Sequence, residues 1–290
     1  MRRTPLLPLD GTPLLLKCES LQETGSFKLR GASNAVEALR PPGVVTGSSG
    51  NHGRALALAA ARRGLPCVVV TTPDATAYKR AAMEALGARL VESPPGTAAR
   101  NRVAREVAEA EGFTLVPAYD HPLVIAGQGT MGLEIAAELP SVRCVVTPLG
   151  GGGMLAGVAT ALRGVLGVAV RVIGVEPSAG DDTVRSRAAG ERVEIPIPQT
   201  ICDGARVQSP GELTFPIVQA LVDDVIAVGD DEVVRAMLAL ARAGVYAEPT
   251  GALALAGALR LGLGEGTVCV VSGRNMAPEA WARLVGPAGA

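Results

Sequence analysis

Lysine is nearly missing from this 290-residue sequence: three of its 27 basic residues are lysine (Lys17, Lys28, Lys79) and the other 24 are arginine. Aromatic residues make up 2%, with two histidines and four asparagines, a balance that suits a thermophile or a GC-rich genome. The net charge of -1 offers no footprint for nucleic acid, and no run of like charge marks an interaction tail. No apolar run reaches the length of a membrane span, and Pro5, Pro8, Asp10 and Pro13 break the stretch that a signal peptide needs. Five cysteines, an odd number without a CxxC pair, exclude a zinc site and a disulfide framework and imply a reducing cytoplasm. What remains is a small-molecule protein without membrane or nucleic-acid partners.

A hydrophobic fraction of 48% over this length supports a large core and about two domains. Short valine-rich runs alternate with helical spacing along most of the chain. Strands are expected at residues 14–18, 44–46, 67–71, 89–91, 114–116, 143–148, 170–175, 225–228 and 267–271. Helices are expected at 27–39, 54–63, 75–86, 97–110, 124–138, 154–165, 215–221, 231–243 and 250–261. Strands separated by helices of this length pair in parallel, which makes the chain an α/β layered protein. Residues 177–210 show little periodicity.

In a chain that uses arginine for positive charge, Lys28 stands out. It lies at a loop-to-helix junction after an apolar strand and next to Phe27. Lysine can lose its proton in a desolvated site and attack a carbonyl to form a Schiff base, which arginine cannot. Gly150, Gly151, Gly152 and Gly153 follow a buried strand and open a helix, so bare backbone N–H groups and the helix dipole can cradle a phosphate. Neither the Lys-[Ser/Thr] of a nucleotide P-loop nor a GxGxxG spacing is present. A Schiff-base lysine with a phosphate cup suggests pyridoxal 5'-phosphate, and Ser272, at the end of the last strand, could face its ring nitrogen.

The motifs occur in one order: the run from Gln22 to Asn34 around Lys28, Ser48-Ser49-Gly50-Asn51-His52-Gly53, the run from Val124 to Thr130, the four glycines, Glu248-Pro249-Thr250-Gly251 and Ser272-Gly273-Arg274-Asn275. Together they resemble the fold-type II pyridoxal-phosphate enzymes, specifically the threonine/serine dehydratase and serine racemase family. The resemblance implies a tryptophan synthase β-like fold of two α/β domains, parallel sheets flanked by helices. Residues 1–43 and 121–290 would form the larger domain, with 44–120 inserted as the smaller. Lys28 would carry the cofactor, Phe27 would pack against its ring and Asn51 would bond its phenolic oxygen. Gly150 to Gly153 would hold the phosphate, Ser272 would face the ring nitrogen, and Ser48, Ser49, Gly50, Asn51 and His52 would bind the substrate carboxylate. Glu176, Gly180 and Asp182 match a loop that in relatives binds a divalent cation, Mg or Ca.

The activity this implies is elimination of water from L-threonine or L-serine, giving a 2-oxo acid and ammonia, with Lys28 as the base at Cα. Racemisation needs a second group on the opposite face, and Ser49 is the candidate, so serine racemase is the alternative. A cysteine synthase-like enzyme usually has Thr rather than His after Ser-Gly-Asn; a non-catalytic cofactor-binding protein of the same fold is a further rival. Relatives imply a homodimer and, since no further module follows, no feedback by isoleucine. Arg274 replaces the expected glycine of the last motif and is expected to crowd the ring-nitrogen side or bring charge to it.

Overall fold

The structure is a computed structural model that describes residues 1–286. The chain opens with β1 (Leu6–Pro8), β2 (Leu14–Lys17) and α1 (Lys28–Leu39). Strands and helices then alternate: β3 (Val44–Gly47), α2 (Asn51–Ala61), β4 (Cys67–Thr71), α3 (Ala77–Glu84), β5 (Arg89–Glu92), α4 (Thr97–Glu111) and β6 (Thr114–Leu115). The remainder runs α5 (Pro122–Glu138), β7 (Cys144–Pro148), α6 (Gly153–Leu166), β8 (Arg171–Pro177), α7 (Asp182–Ala189), α8 (Thr214–Leu221), β9 (Asp224–Val228), α9 (Asp230–Arg242), α10 (Pro249–Arg260), β10 (Thr267–Val270) and α11 (Pro278–Val285).

Strands β3, β4, β7 and β10 are buried at every position. A strand covered on both faces needs apolar residues at both parities, which is why these read as unbroken runs. They build two sheets, one ordered β1-β2-β10-β7-β8-β9 and one ordered β5-β4-β3-β6. All pairings are parallel except β1 with β2. No helix among the described residues is long and apolar enough to cross a membrane.

The order of the larger sheet brings distant segments to one place. The last strand, β10, lies between β2 and β7, so Ser272 arrives beside the start of α1. The Phe27 N–H donates to the Ser272 carbonyl at 3.0 Å, and Ser26 bridges Gly273. Buried ion pairs then pin α1. Arg30, fully buried, donates to Glu19 at 2.8 Å and to Glu134 at 2.7 Å, while Lys17, also fully buried, pairs with Glu134 at 2.9 Å. Buried pairs of this kind add little net stability, yet removing one partner costs about 3–5 kcal/mol, so they hold α1 in one register against β2 and α5. The apolar side of α1 (Leu29, Ala32, Ala35, Val36) packs with α2 and β4.

Three elements escaped the sequence reading. β1 has three residues and ends in proline, too short to show a period. α7 opens the stretch after residue 177 with a mostly polar helix, Asp-Thr-Val-Arg-Ser-Arg-Ala-Ala, whose few apolar residues make no continuous stripe. α11 begins at Pro278 and docks through Trp281, whose indole N–H donates to the Ala247 carbonyl at 2.9 Å.

Candidate active site

A cavity of about 440 Å³ opens between the two sheets, within the size range of small-molecule sites. Lys28, Phe27, Ser48 to His52, Gly150 to Gly153 and Ser272 all line it, so one space collects the cofactor and substrate residues anticipated from separated stretches of the chain. The ammonium of Lys28 donates to the Ala118 carbonyl at 2.7 Å and lies 5.1 Å from the centroid of the Phe27 ring. Burial pushes its pKa down to about 8, because the charged form loses water that one carbonyl only partly replaces.

The glycine loop is bare by necessity. A Cβ at Gly151 would come within 2.4 Å of the Tyr119 ring, and one at Gly153 within 2.8 Å of the Tyr119 carbonyl. Gly152 has φ +90° and a Cβ there would meet Thr214 Oγ1 at 2.7 Å. Thr214 Oγ1 in turn donates to the Gly151 carbonyl at 2.7 Å, and Asp120 caps α8 by accepting from the N–H groups of Glu212, Leu213 and Thr214. The loop is thereby fixed where α6 begins, with its first-turn N–H groups unpaired within the helix.

Around α2 the division of labour is clear. Ser48 Oγ accepts from Gly53 N at 3.0 Å and Gly50 N at 3.3 Å, capping the helix start and leaving the Asn51 and His52 N–H groups for an anion. His52 is buried with Nε2 against the Val116 carbonyl at 3.0 Å, so Nε2 carries the proton. Its pKa is driven down to about 3, first by burial and then by Lys28, which rules it out as an acid or base at neutral pH. Ser49 Oγ accepts from Arg100 Nη1 at 3.2 Å and shares a 2.8 Å hydrogen bond with Thr72 Oγ1.

Arg274 is a correction. Its side chain is exposed and does not line the cavity; its backbone N–H donates to the Gly25 carbonyl at 2.9 Å. It neither crowds nor charges the ring-nitrogen side, because the turn after Ser272 points position 274 outward while Asn275 turns in.

Glu176 and Asp182 lie together and buried, outside the cavity. Glu176 accepts from Thr183 N at 3.1 Å and Val184 N at 3.0 Å at the start of α7, whereas neither oxygen of Asp182 has a hydrogen-bond partner. Both carboxyl pKa values rise, by burial first, and Asp182 also by the nearby charge of Glu176. Among the described residues no three His, Cys, Asp or Glu side chains group as a metal site; the expected set is two carboxylates and the Gly180 carbonyl.

Arg100 is a cavity residue that the sequence reading missed, since one arginine among 24 carries no signal. It projects from α4 into the cavity, makes no salt bridge among the described residues, and its buried Nε has no partner. Burial lowers its pKa. Its Nη1 donates to Ser49 Oγ, and the carboxylate of Asp74, which also lines the cavity, acts on its charge from nearby.

The family described as pyridoxal-phosphate dependent enzyme matches residues 1–273. The chain belongs to that family. Among its relatives in it, an L-threo-3-hydroxyaspartate ammonia-lyase from Saccharomyces cerevisiae is 42% identical over 95% of this chain and 86% of its own length. A serine racemase from Rattus norvegicus is 42% identical over 87% of this chain and 78% of its own. Of solved structures, that of maize serine racemase superposes with a TM-score of 0.91 at 35% identity, covering 97% of this chain and 91% of its own. These pyridoxal-phosphate enzymes are ammonia-lyases and racemases of small amino acids. The cavity fits the cofactor they share: a desolvated lysine, a glycine cup in which a Cβ at Gly151, Gly152 or Gly153 would clash, and an amide and a hydroxyl at the intervening edges.

Proposed function

We propose that this protein dehydrates and deaminates β-hydroxy α-amino acids, and that it prefers one bearing a second carboxylate, 3-hydroxyaspartate, to the L-threonine and L-serine expected from the motifs. Arg100 is the observation that carries this reading. The α-carboxylate has its own place at the Ser48 to His52 turn, so a cationic group left over on the α4 side of the cavity matches a β-carboxylate. Relatives at 42% and 43% identity named L-threo-3-hydroxyaspartate ammonia-lyase support the choice.

When bound, pyridoxal phosphate supplies an electron-withdrawing ring conjugated to the substrate's α-amino nitrogen, which acidifies Cα–H and labilises the β-hydroxyl. Lys28, with a pKa of about 8, is half neutral near that pH and takes the Cα proton. Gly150 to Gly153 would hold the phosphate through backbone N–H groups, Asn51 and Ser272 would hold the ring's two polar edges, and Phe27 would pack against its face. Ser272, a neutral hydroxyl, would bring no carboxylate to the ring-nitrogen edge and so would not favour its protonation. The products are ammonia and a 2-oxo acid, oxaloacetate from 3-hydroxyaspartate and pyruvate from serine. Residues 44–120 act as the smaller domain, inserted in the larger formed by 1–43 and 121–290, and close on it to exclude water.

Ser49 supports serine racemisation as a second activity, because its hydroxyl faces the cavity and is held by Arg100 and Thr72. A Mg or Ca ion at Glu176, Gly180 and Asp182 is the natural partner for two buried acids, one with both oxygens unpartnered. We place the protein in the cytoplasm, in keeping with five free, buried thiols, and expect a homodimer, to be read by light scattering.

The deciding experiment is a panel of hydroxy amino acids given to the pure protein with cofactor, with and without Mg, following 2-oxo acid and, for serine, D-serine. A kcat/KM for L-threo-3-hydroxyaspartate at least about tenfold above that for serine and threonine is expected, the factor that one charged hydrogen bond supplies. A preference for serine or threonine would sink the dicarboxylate reading, and absence of D-serine would sink racemisation.

A further inference from the structure

Asn51 does not stand alone in the cavity wall. Its Nδ2 donates to Glu248 Oε1 at 2.6 Å, and its Oδ1 accepts from Asn275 Nδ2 at 2.6 Å. Asn275 is fixed in turn: its Oδ1 accepts from Arg54 Nη1 at 2.7 Å and its Nδ2 also donates to the Thr24 carbonyl at 2.8 Å. The four side chains therefore form one directional chain, guanidinium to amide to amide to carboxylate, starting on α2, crossing the turn after β10, returning to α2 and ending just before α10.

Every bond in it runs the same way. Each amide accepts at oxygen and donates at nitrogen, from the cation of Arg54 toward the carboxyl group of Glu248, so neighbouring dipoles reinforce one another. Flipping Asn51 would set its oxygen against the Glu248 carboxyl and its nitrogen against the Asn275 nitrogen, so one orientation is allowed. The backbone has been cleared for this contact: a Cβ at Gly25 would lie 2.4 Å from Asn275 Oδ1, and one at Gly273 would lie 2.2 Å from Glu248 Oε1. Gly25 also has φ +73°, which favours glycine on its own account. With its oxygen and one N–H committed, Asn51 has one N–H left, and Asn51 lines the cavity.

We propose that Asn275 and Arg54 are positioning residues, which together with Glu248 lock the amide of Asn51 so that its remaining N–H donates to the cofactor's phenolic oxygen. This rests on the reading of Asn51 as a cofactor ligand. It assigns work to the final Asn of the Ser-Gly-x-Asn motif and to an arginine that touches neither cofactor nor substrate.

The test uses Asn275→Ala, Arg54→Met and Arg54→Lys beside Asn51→Ala, each loaded with pyridoxal 5'-phosphate. The readouts are cofactor affinity by titration and the visible absorbance of the lysine-bound cofactor. Asn51→Ala should weaken cofactor binding about tenfold and move part of the visible band to the near ultraviolet, since a donor that stabilises the ionised phenolic oxygen is lost. Asn275→Ala should reproduce both changes, Arg54→Met should reproduce them in part, and Arg54→Lys should recover toward the parent. If Asn51→Ala changes neither readout, the role of Asn51 is wrong. If Asn51→Ala changes both while Arg54→Met and Asn275→Ala match the parent, the relay is wrong. Arg54 is only partly buried on α2 and reads the relay even if Asn275→Ala fails to fold.

Discussion

Replacing Arg100 by methionine should separate a dicarboxylic from a monocarboxylic hydroxy amino acid. Methionine keeps most of the stem's volume and removes the charge. A hydrogen bond to a charged group is worth about 1.5–3 kcal/mol, and Arg100 is half-buried. That corresponds to a loss of about 10- to 150-fold in kcat/KM for 3-hydroxyaspartate. Serine has no second carboxylate, so its kcat/KM should change less than about threefold, the remaining effect being the lost neutral-acceptor bond from Arg100 to Ser49. The assay is 2-oxo acid formation from both substrates with parent and variant, at matched cofactor saturation. Equal losses for the two substrates would refute the reasoning, since Arg100 would then serve the fold or the α-carboxylate.

Lys28→Ala should abolish turnover and the visible absorbance of the loaded protein, while Lys28→Arg should restore neither, which absorbance and 2-oxo acid assays check together. Gly151→Ala places a methyl group against the Tyr119 ring and should cost about 1–3 kcal/mol in cofactor binding or stability, read by cofactor titration and thermal melting. His52 is neutral in the fold down to about pH 3 but takes a proton below about pH 6.5 when unfolded. The unfolded state therefore binds more protons across that window, and stability should fall as pH drops from about 6.5, by several kcal/mol in total. His52→Gln, which preserves the N–H to Val116, should flatten that slope in denaturant titrations at stepped pH and leave turnover largely intact. Mg or Ca should raise the melting temperature of the parent and not of Asp182→Asn; equal shifts would place the ion elsewhere.

The strands and most helices were legible because burial on both faces leaves unbroken valine runs, as in β4 and β7, and a solvated helix face leaves a stripe. α7 was not, since it is held by Glu176 accepting from its first N–H groups rather than by an apolar side. Lys28 was legible from scarcity together with its surroundings, a loop-to-helix junction after an apolar strand and beside Phe27: in a chain that prefers arginine, a lysine so placed marks a compact or neutralisable amine. Lys17 sits in the buried ion pairs, Lys28 faces the cavity, and Lys79 pairs with Asp203 at its rim. The glycine cup and Ser48 to His52 were legible because their chemistry is carried by backbone, and backbone geometry is written in glycine.

What tertiary structure alone decided are the properties that depend on neighbours distant in sequence. Arg100 is ordinary on α4 and reaches the cavity only because α4 packs beside β3, where it faces Ser49 and shares the lining with Asp74 without forming a salt bridge among the described residues. Arg274 looked like an intrusion into the site and points to solvent, because the turn after β10 alternates its side chains. Asn51 gains a fixed orientation from Asn275, 224 positions away, and from Glu248. The sequence determined the reaction class, because a lysine, a phosphate cup and a carboxylate turn are local devices. The proposed substrate preference and cofactor alignment rest on the fold, because charge compensation and amide direction are set by which groups close packing brings together.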